Sequence, residues 1–250
     1  MRQGKNKNDL WSAYRYGKQI KVVYYKVGKN TKGFELPKKP KLKTGTDGRF
    51  DESVSRTKAT IFEIAACNDF KWFVTLTLDS EKKNRNDLKS FSRDFGQFIR
   101  DQNKKREKRE KIEYLVIPEQ HKDGAWHMHG LFKGLTEKDL VKNEFGYLDW
   151  LEYRNRFGFF SCSKIKSLNA CSKYITKYVT KDVKKNTSLQ SGAHSFYASK
   201  GLKRREVLVY CSADKLSLFD DVREFDFEND YVKIAWFNEA NFNELTFLGK

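Results

Sequence analysis

Three features of the sequence predict an α/β (α+β) protein: a strand-like alternation at "KWFVTLTLD", a helical stripe in "NRNDLKSFSRDFGQFIRDQ", and two strand-like runs, "IEYLVIPEQH" and "WHMHGLFKG", separated by a short turn. Residues 1–52 are rich in Lys and Gly and read as a basic N-terminal extension with one strand, "KQIKVVYYKVG", and a loop, "LPKKPKLKTGTDGRFD". A helix at "SVSRTKATIFEIAACN", with Ile61, Ile64 and Ala65 at helical spacing, ends at Asn68 and opens a main domain expected over residues 53–210.

Within that domain, Trp72, Val74, Leu76 and Leu78 alternate on one face, which predicts a central strand. Leu88, Phe91, Phe95, Phe98 and Ile99 form one stripe of a long amphipathic helix. The charged continuation "NKKREKREK" reads as a solvated helix end or loop that could touch phosphates. The next two strands form a hairpin turning at "KDGA". A polar helix at "TEKDLVKNE", a strand in "FGFFSCSKIK" and a helix at "LNACSKYITKYVTKD" complete the domain. Residues 211–250 read as C-terminal strands and tail; the strand-like pieces near that end are "EVLVYCS" and "YVKIAWF", with the acidic "FDDVREFDFEND" between them.

Fifty Lys and Arg against 33 Asp and Glu give a formal charge of +17, and 15% of the residues are aromatic. Charge with stackable rings points to nucleic acid as partner, the alternative being a basic surface that serves solubility. Cys67, Cys162, Cys171 and Cys211 form no CxxC pair, which argues against a zinc ribbon or a disulfide framework and for reduced thiols. No GxxxxGK[ST] occurs, so an intrinsic P-loop motor is not expected. Neither a run of about 18 apolar residues nor a signal-peptide pattern is present, so a soluble, cytoplasmic protein without a membrane partner is expected.

His127 and His129 stand two apart on a strand and so share a face, with Met128 pointing the other way. Two imidazoles so placed suit one metal ion. A packed pair is the alternative, since four histidines in this length produce an HxH by chance with a probability of about 0.06. Glu119 lies at the end of the neighbouring hairpin strand, where a carboxylate would complete a two-His, one-carboxylate site for Mn²⁺ or Mg²⁺. His121 shares the face of Glu119 and competes with it; Gln120 should face away.

On a helical wheel Tyr174, Lys177, Tyr178 and Lys181 fall on one face, and Leu168, Cys171, Ile175 and Val179 form a separate stripe roughly 130° away. Two phenols beside two ammonium groups suit nucleophilic attack on a phosphodiester. Half-buried tyrosines with snorkelling lysines are the alternative.

"FVTLTLD", "HMH" and "YITKYVTKD", in that order, resemble the HUH-endonuclease superfamily of rolling-circle replication initiators. The YxxKYxxK pattern is similar to the two-tyrosine branch found in microvirus-type phages and related plasmid or prophage proteins. Tyrosines that follow the histidines favour an initiator over a conjugative relaxase. The resemblance implies a central antiparallel sheet with flanking helices (the ferredoxin-like-derived HUH fold), with the histidine strand in the middle and the tyrosine helix over it. It also implies His127, His129 and Glu119 as ligands of a divalent metal, Mn²⁺ or Mg²⁺. Tyr178 would make the initiating nick and Tyr174 the terminating transfer, with Lys177 and Lys181 assisting at the phosphate. The implied substrate is single-stranded DNA at a replication origin hairpin. Attack by tyrosine would leave a 5′-phosphotyrosine bond and a free 3′-OH, while a helicase and polymerase come from the bacterial host. Two competing readings remain at this point: a non-enzymatic single-stranded nucleic-acid-binding protein, and a metal hydrolase with no covalent intermediate.

Overall fold

The structure is a computed structural model that describes residues 9–26, 46–107, 109–144, 146–179, 193–212 and 224–241. In chain order its elements are β1 (Leu10–Tyr16), β2 (Gln19–Tyr25), α1 (Thr46–Cys67), β3 (Trp72–Thr77), α2 (Leu88–Lys104), β4 (Glu113–Gln120), β5 (Trp126–Lys133), β6 (Val141–Lys142), β7 (Leu148–Asp149), α3 (Leu151–Arg156), β8 (Phe160–Lys164), α4 (Leu168–Ile175), β9 (Tyr197–Ala198), β10 (Glu206–Ser212), β11 (Phe227–Glu228) and β12 (Val232–Asn238). The strands form two antiparallel sheets, so the fold is α+β.

Residues 1–48 together with 204–250 make one compact unit, and residues 49–203 make the other. The first unit is a five-stranded sheet in the order β10-β1-β2-β12-β11. β1 and β2 turn at Gly17, whose φ of 59° suits a residue without Cβ. β10 then pairs with β1, and β12 with β2. The basic extension and the tail, distinct in sequence, are thus hydrogen-bonded neighbours; Trp11, Ala13, Ile20 and Val22 bury one face of their sheet.

The second unit is built on a seven-stranded sheet in the order β6-β7-β8-β3-β5-β4-β9. The apolar alternation read at 71–79 becomes β3, at the centre of the sheet. Trp72, Val74 and Leu76 project to one face, where they meet Met128 of β5 and the Leu88, Phe91, Phe95, Phe98 and Ile99 stripe of α2. Each of these large side chains contributes about 1.5–3 kcal/mol on burial. α2 starts cleanly because the Asp87 carboxylate accepts a hydrogen bond from the Ser90 amide, 3.0 Å away. On the opposite face, Leu115, Ile117 and Leu131 pack with Ile61, Ile64 and Ala65 of α1 and with Ile175 of α4 and Val179 just beyond it. The sheet is therefore sandwiched between helices.

Two local expectations are corrected. "TEKDLVKNE" forms a 3₁₀ turn at Glu137–Asp139 and then enters β6, with no amphipathic helix. The Asp139 carboxylate folds back to accept from the Thr136 amide at 2.8 Å and also pairs with Arg106 at 2.7 Å, which halts the turn. The charge run before β4 is not wholly solvated either: Arg106 is 5% exposed and donates to the Gly134 carbonyl at 2.8 Å. α4 also ends sooner than "LNACSKYITKYVTKD", at Ile175, and tightens through i→i+3 bonds from Lys177 to Tyr174 and from Val179 to Thr176. Cys67, Cys162 and Cys171 are free thiols, while the side chain of Cys211 lies outside the described residues. Among the described residues no helix is long and apolar enough to cross a membrane.

Candidate active site

The site grows from the register of three strands. His127 stands opposite Thr77 of β3 and Glu119 of β4, and His129 stands opposite Thr75. Met128 between them is fully buried on the α2 side, which anchors β5 and fixes both imidazoles on the other face. Gly130 follows directly. A Cβ there would lie 2.5 Å from Val116 Cγ1 and 2.7 Å from the Leu115 carbonyl, so only glycine permits β4 to approach so closely.

Each imidazole is held by a threonine. Thr77 Oγ1 is 2.9 Å from His127 Nδ1, and Thr75 Oγ1 is 3.2 Å from His129 Nδ1. Both Nε2 atoms are thereby turned to the open side. His129 Nε2 meets Glu119 Oε2 at 2.7 Å, whereas His127 Nε2 is buried and has no hydrogen-bond partner among the described residues. Burial, reinforced by the neighbouring His121 and His129, lowers the His127 pKa to about 4, so its ring is neutral at pH 7.

The tyrosines come from the other side. Tyr178 stacks on His129, centroids 4.1 Å apart and 16° from parallel, and its hydroxyl is 3.2 Å from that of Tyr174. Burial, then the hydrogen bond to Tyr174, push the Tyr178 phenol well above the usual range. Lys177 Nζ lies 5.4 Å from the centroid of the Tyr174 ring. Lys181 lies outside the described residues. The chain thus brings His127, His129, Glu119, Tyr174, Lys177 and Tyr178 into one neighbourhood.

Three contributors escaped sequence reasoning. Thr75 and Thr77 show only as the outward positions of β3, and their role depends on the β3–β5 register. Phe73 lies 6.4 Å from His129, 5.9 Å from Tyr174 and 6.3 Å from Tyr178 between ring centroids. His121, weighed as a competing ligand, stacks on His127 at 3.7 Å. Gln120 turns away, as the alternation requires, to bond the Gly124 carbonyl at 3.0 Å.

Among the described residues, no group of three or more His, Cys, Asp or Glu side chains is already disposed to hold a metal ion. The Glu119–His129 hydrogen bond accounts for this, because it occupies the two atoms that would have to face an ion together with His127. The donor chemistry nevertheless fits a hard divalent cation: a neutral imidazole with an orphaned, buried Nε2, a second imidazole braced at Nδ1, and a carboxylate within reach of both.

Residues 71–183 match the family model for the replication-associated protein ORF2. The match supports a Rep-type replication initiator. The matched span runs from just before β3 to beyond α4 and so contains every residue assembled above. Neither a curated protein nor a solved structure matches the chain.

Proposed function

We propose that this Rep-type protein is a rolling-circle initiator of the HUH class, which nicks single-stranded DNA and transfers the strand through a 5′-phosphotyrosine bond. The observation that carries the proposal is the stacking of Tyr178 on His129 with the Tyr174 hydroxyl 3.2 Å away, because it sets two phenols beside a pair of imidazoles and a carboxylate. His127, His129 and Glu119 would hold Mn²⁺ or Mg²⁺, the Glu119–His129 hydrogen bond giving way as they do so. When bound, the cation supplies charge neutralisation for the phosphate under attack.

The Tyr178 oxygen bonds to phosphorus as the bond from phosphorus to the 3′ oxygen breaks, and the phenol proton ends on that oxygen as a free 3′-OH. Lys177 and Lys181 supply positive charge for the phosphate. Tyr174, one turn earlier, attacks the regenerated junction while Tyr178 still holds its strand; the first 3′-OH then attacks the Tyr178 phosphodiester and releases that phenol. Bond energy is conserved throughout, so no nucleotide hydrolysis is needed. The test is to incubate the whole chain with a pool of single-stranded oligonucleotides and Mn²⁺, with and without chelator. A denaturant-resistant adduct that chelator or His127→Ala abolishes is expected; its absence from the wild type across the pool would overturn the proposal.

A further inference from the structure

An open groove of about 680 Å³ lies beside Tyr174, bounded by the end of β8, the turn at 165–167 and the outer side of α4. Its aromatic surfaces are Phe73 and Tyr174, and Lys164, Lys166, Lys173 and Lys177 stand around it. None of its lining residues is acidic. Lys164 meets Glu137 at its rim, 3.7 Å away, in an exposed pair of little strength. A groove of this size, with aromatic faces and an excess of positive charge, suits a planar ring joined to a phosphate.

Its position narrows the ligand further. Phe73 also reaches Tyr178 and His129, so a single ring joins the groove to the proposed reacting groups. Stacking on Phe73 or Tyr174 needs a base with a free face, which a duplex keeps within its own stack. We infer that this groove seats one nucleotide of the single strand beside the scissile phosphate, its base against Phe73 and Tyr174 and its phosphate on Lys166 and Lys173. The identity of the ligand rests on the nuclease reading, but its binding needs no cleavage.

The experiment measures fluorescence anisotropy of a labelled oligothymidine of about 16 nucleotides with the whole chain in chelator, across a range of salt. Lys166→Ala/Lys173→Ala is compared with Lys89→Ala/Lys104→Ala on α2, across the sheet. The groove pair is expected to bind about tenfold more weakly, with a salt slope shallower by about 1.4 for two lost phosphate contacts, while the α2 pair stays close to wild type. Phe73→Leu should lower affinity with the slope unchanged. Equal losses in the two lysine pairs, or a duplex that competes as well as the single strand, would overturn the inference. Adduct formation by a groove variant of unchanged affinity would remove the groove and leave the nuclease reading; groove-dependent binding without any wild-type adduct would do the reverse.

Discussion

The ring of Tyr178 lies on the ring of His129, their centroids 4.1 Å apart. One residue rides on an interior strand and the other just past the end of a helix, separated by 49 positions (178 − 129) in the chain. They meet because Ile175 and Val179, on the other side of the same segment, bury against Ile117 and Leu131. Packing thus sets the proposed chemistry, and the substitutions below separate the two.

The hydrogen bond between Tyr174 and Tyr178 helps to keep the Tyr178 phenol protonated. Tyr174→Phe removes it. The Tyr178 phenol should then ionise at lower pH, and the alkaline limb of the rate of adduct formation should move to lower pH with it. A limb unchanged in Tyr174→Phe would show that the second phenol does not act on the first.

The threonines brace the imidazoles by their Nδ1 atoms. Thr75→Val and Thr77→Val keep the shape of β3 and remove those contacts. Each should weaken Mn²⁺ binding, measured by calorimetric titration, about 10- to 100-fold.

His127 makes folding pH-dependent. Its folded pKa is about 4 against an ordinary value of 6.5, so between these values the unfolded chain binds the proton and the folded chain does not. Stability is therefore fully present above pH 6.5 and is lost as pH falls toward 4. Urea midpoints measured in chelator should decline across that window, and His127→Gln should flatten the decline.

How much of this was legible in the sequence follows the range of the interactions. The Leu88, Phe91, Phe95, Phe98 and Ile99 stripe is local and reads directly, as does the alternation through Trp72, Val74 and Leu76. The shared face of His127 and His129 follows from strand geometry alone, and that of Tyr174 and Tyr178 from helical spacing. Thr75, Thr77 and Phe73 were hidden, because only the β3–β5 register aims them at the histidines. Arg106 was misread with the charges around it, since its partners, Asp139 and the Gly134 carbonyl, lie about thirty residues on. The β1–β10 pairing spans almost the whole chain, beyond the reach of any local pattern.

Gly130 offers a test of the strand itself. Gly130→Ala forces a Cβ against Val116 Cγ1 and the Leu115 carbonyl. A loss of about 1–3 kcal/mol in urea unfolding is expected, and adduct formation should fall as β5 shifts beside His129.

The most direct measurement is the site of the covalent bond. After incubation with single-stranded DNA and Mn²⁺, nuclease trimming and proteolysis, mass spectrometry of the peptides covering residues 174–178 should find the residual nucleotide on Tyr178, and on Tyr174 when Tyr178 is replaced by Phe. Undiminished adduct from Tyr174→Phe/Tyr178→Phe, or a nucleotide on any other residue, would contradict tyrosine catalysis at this site.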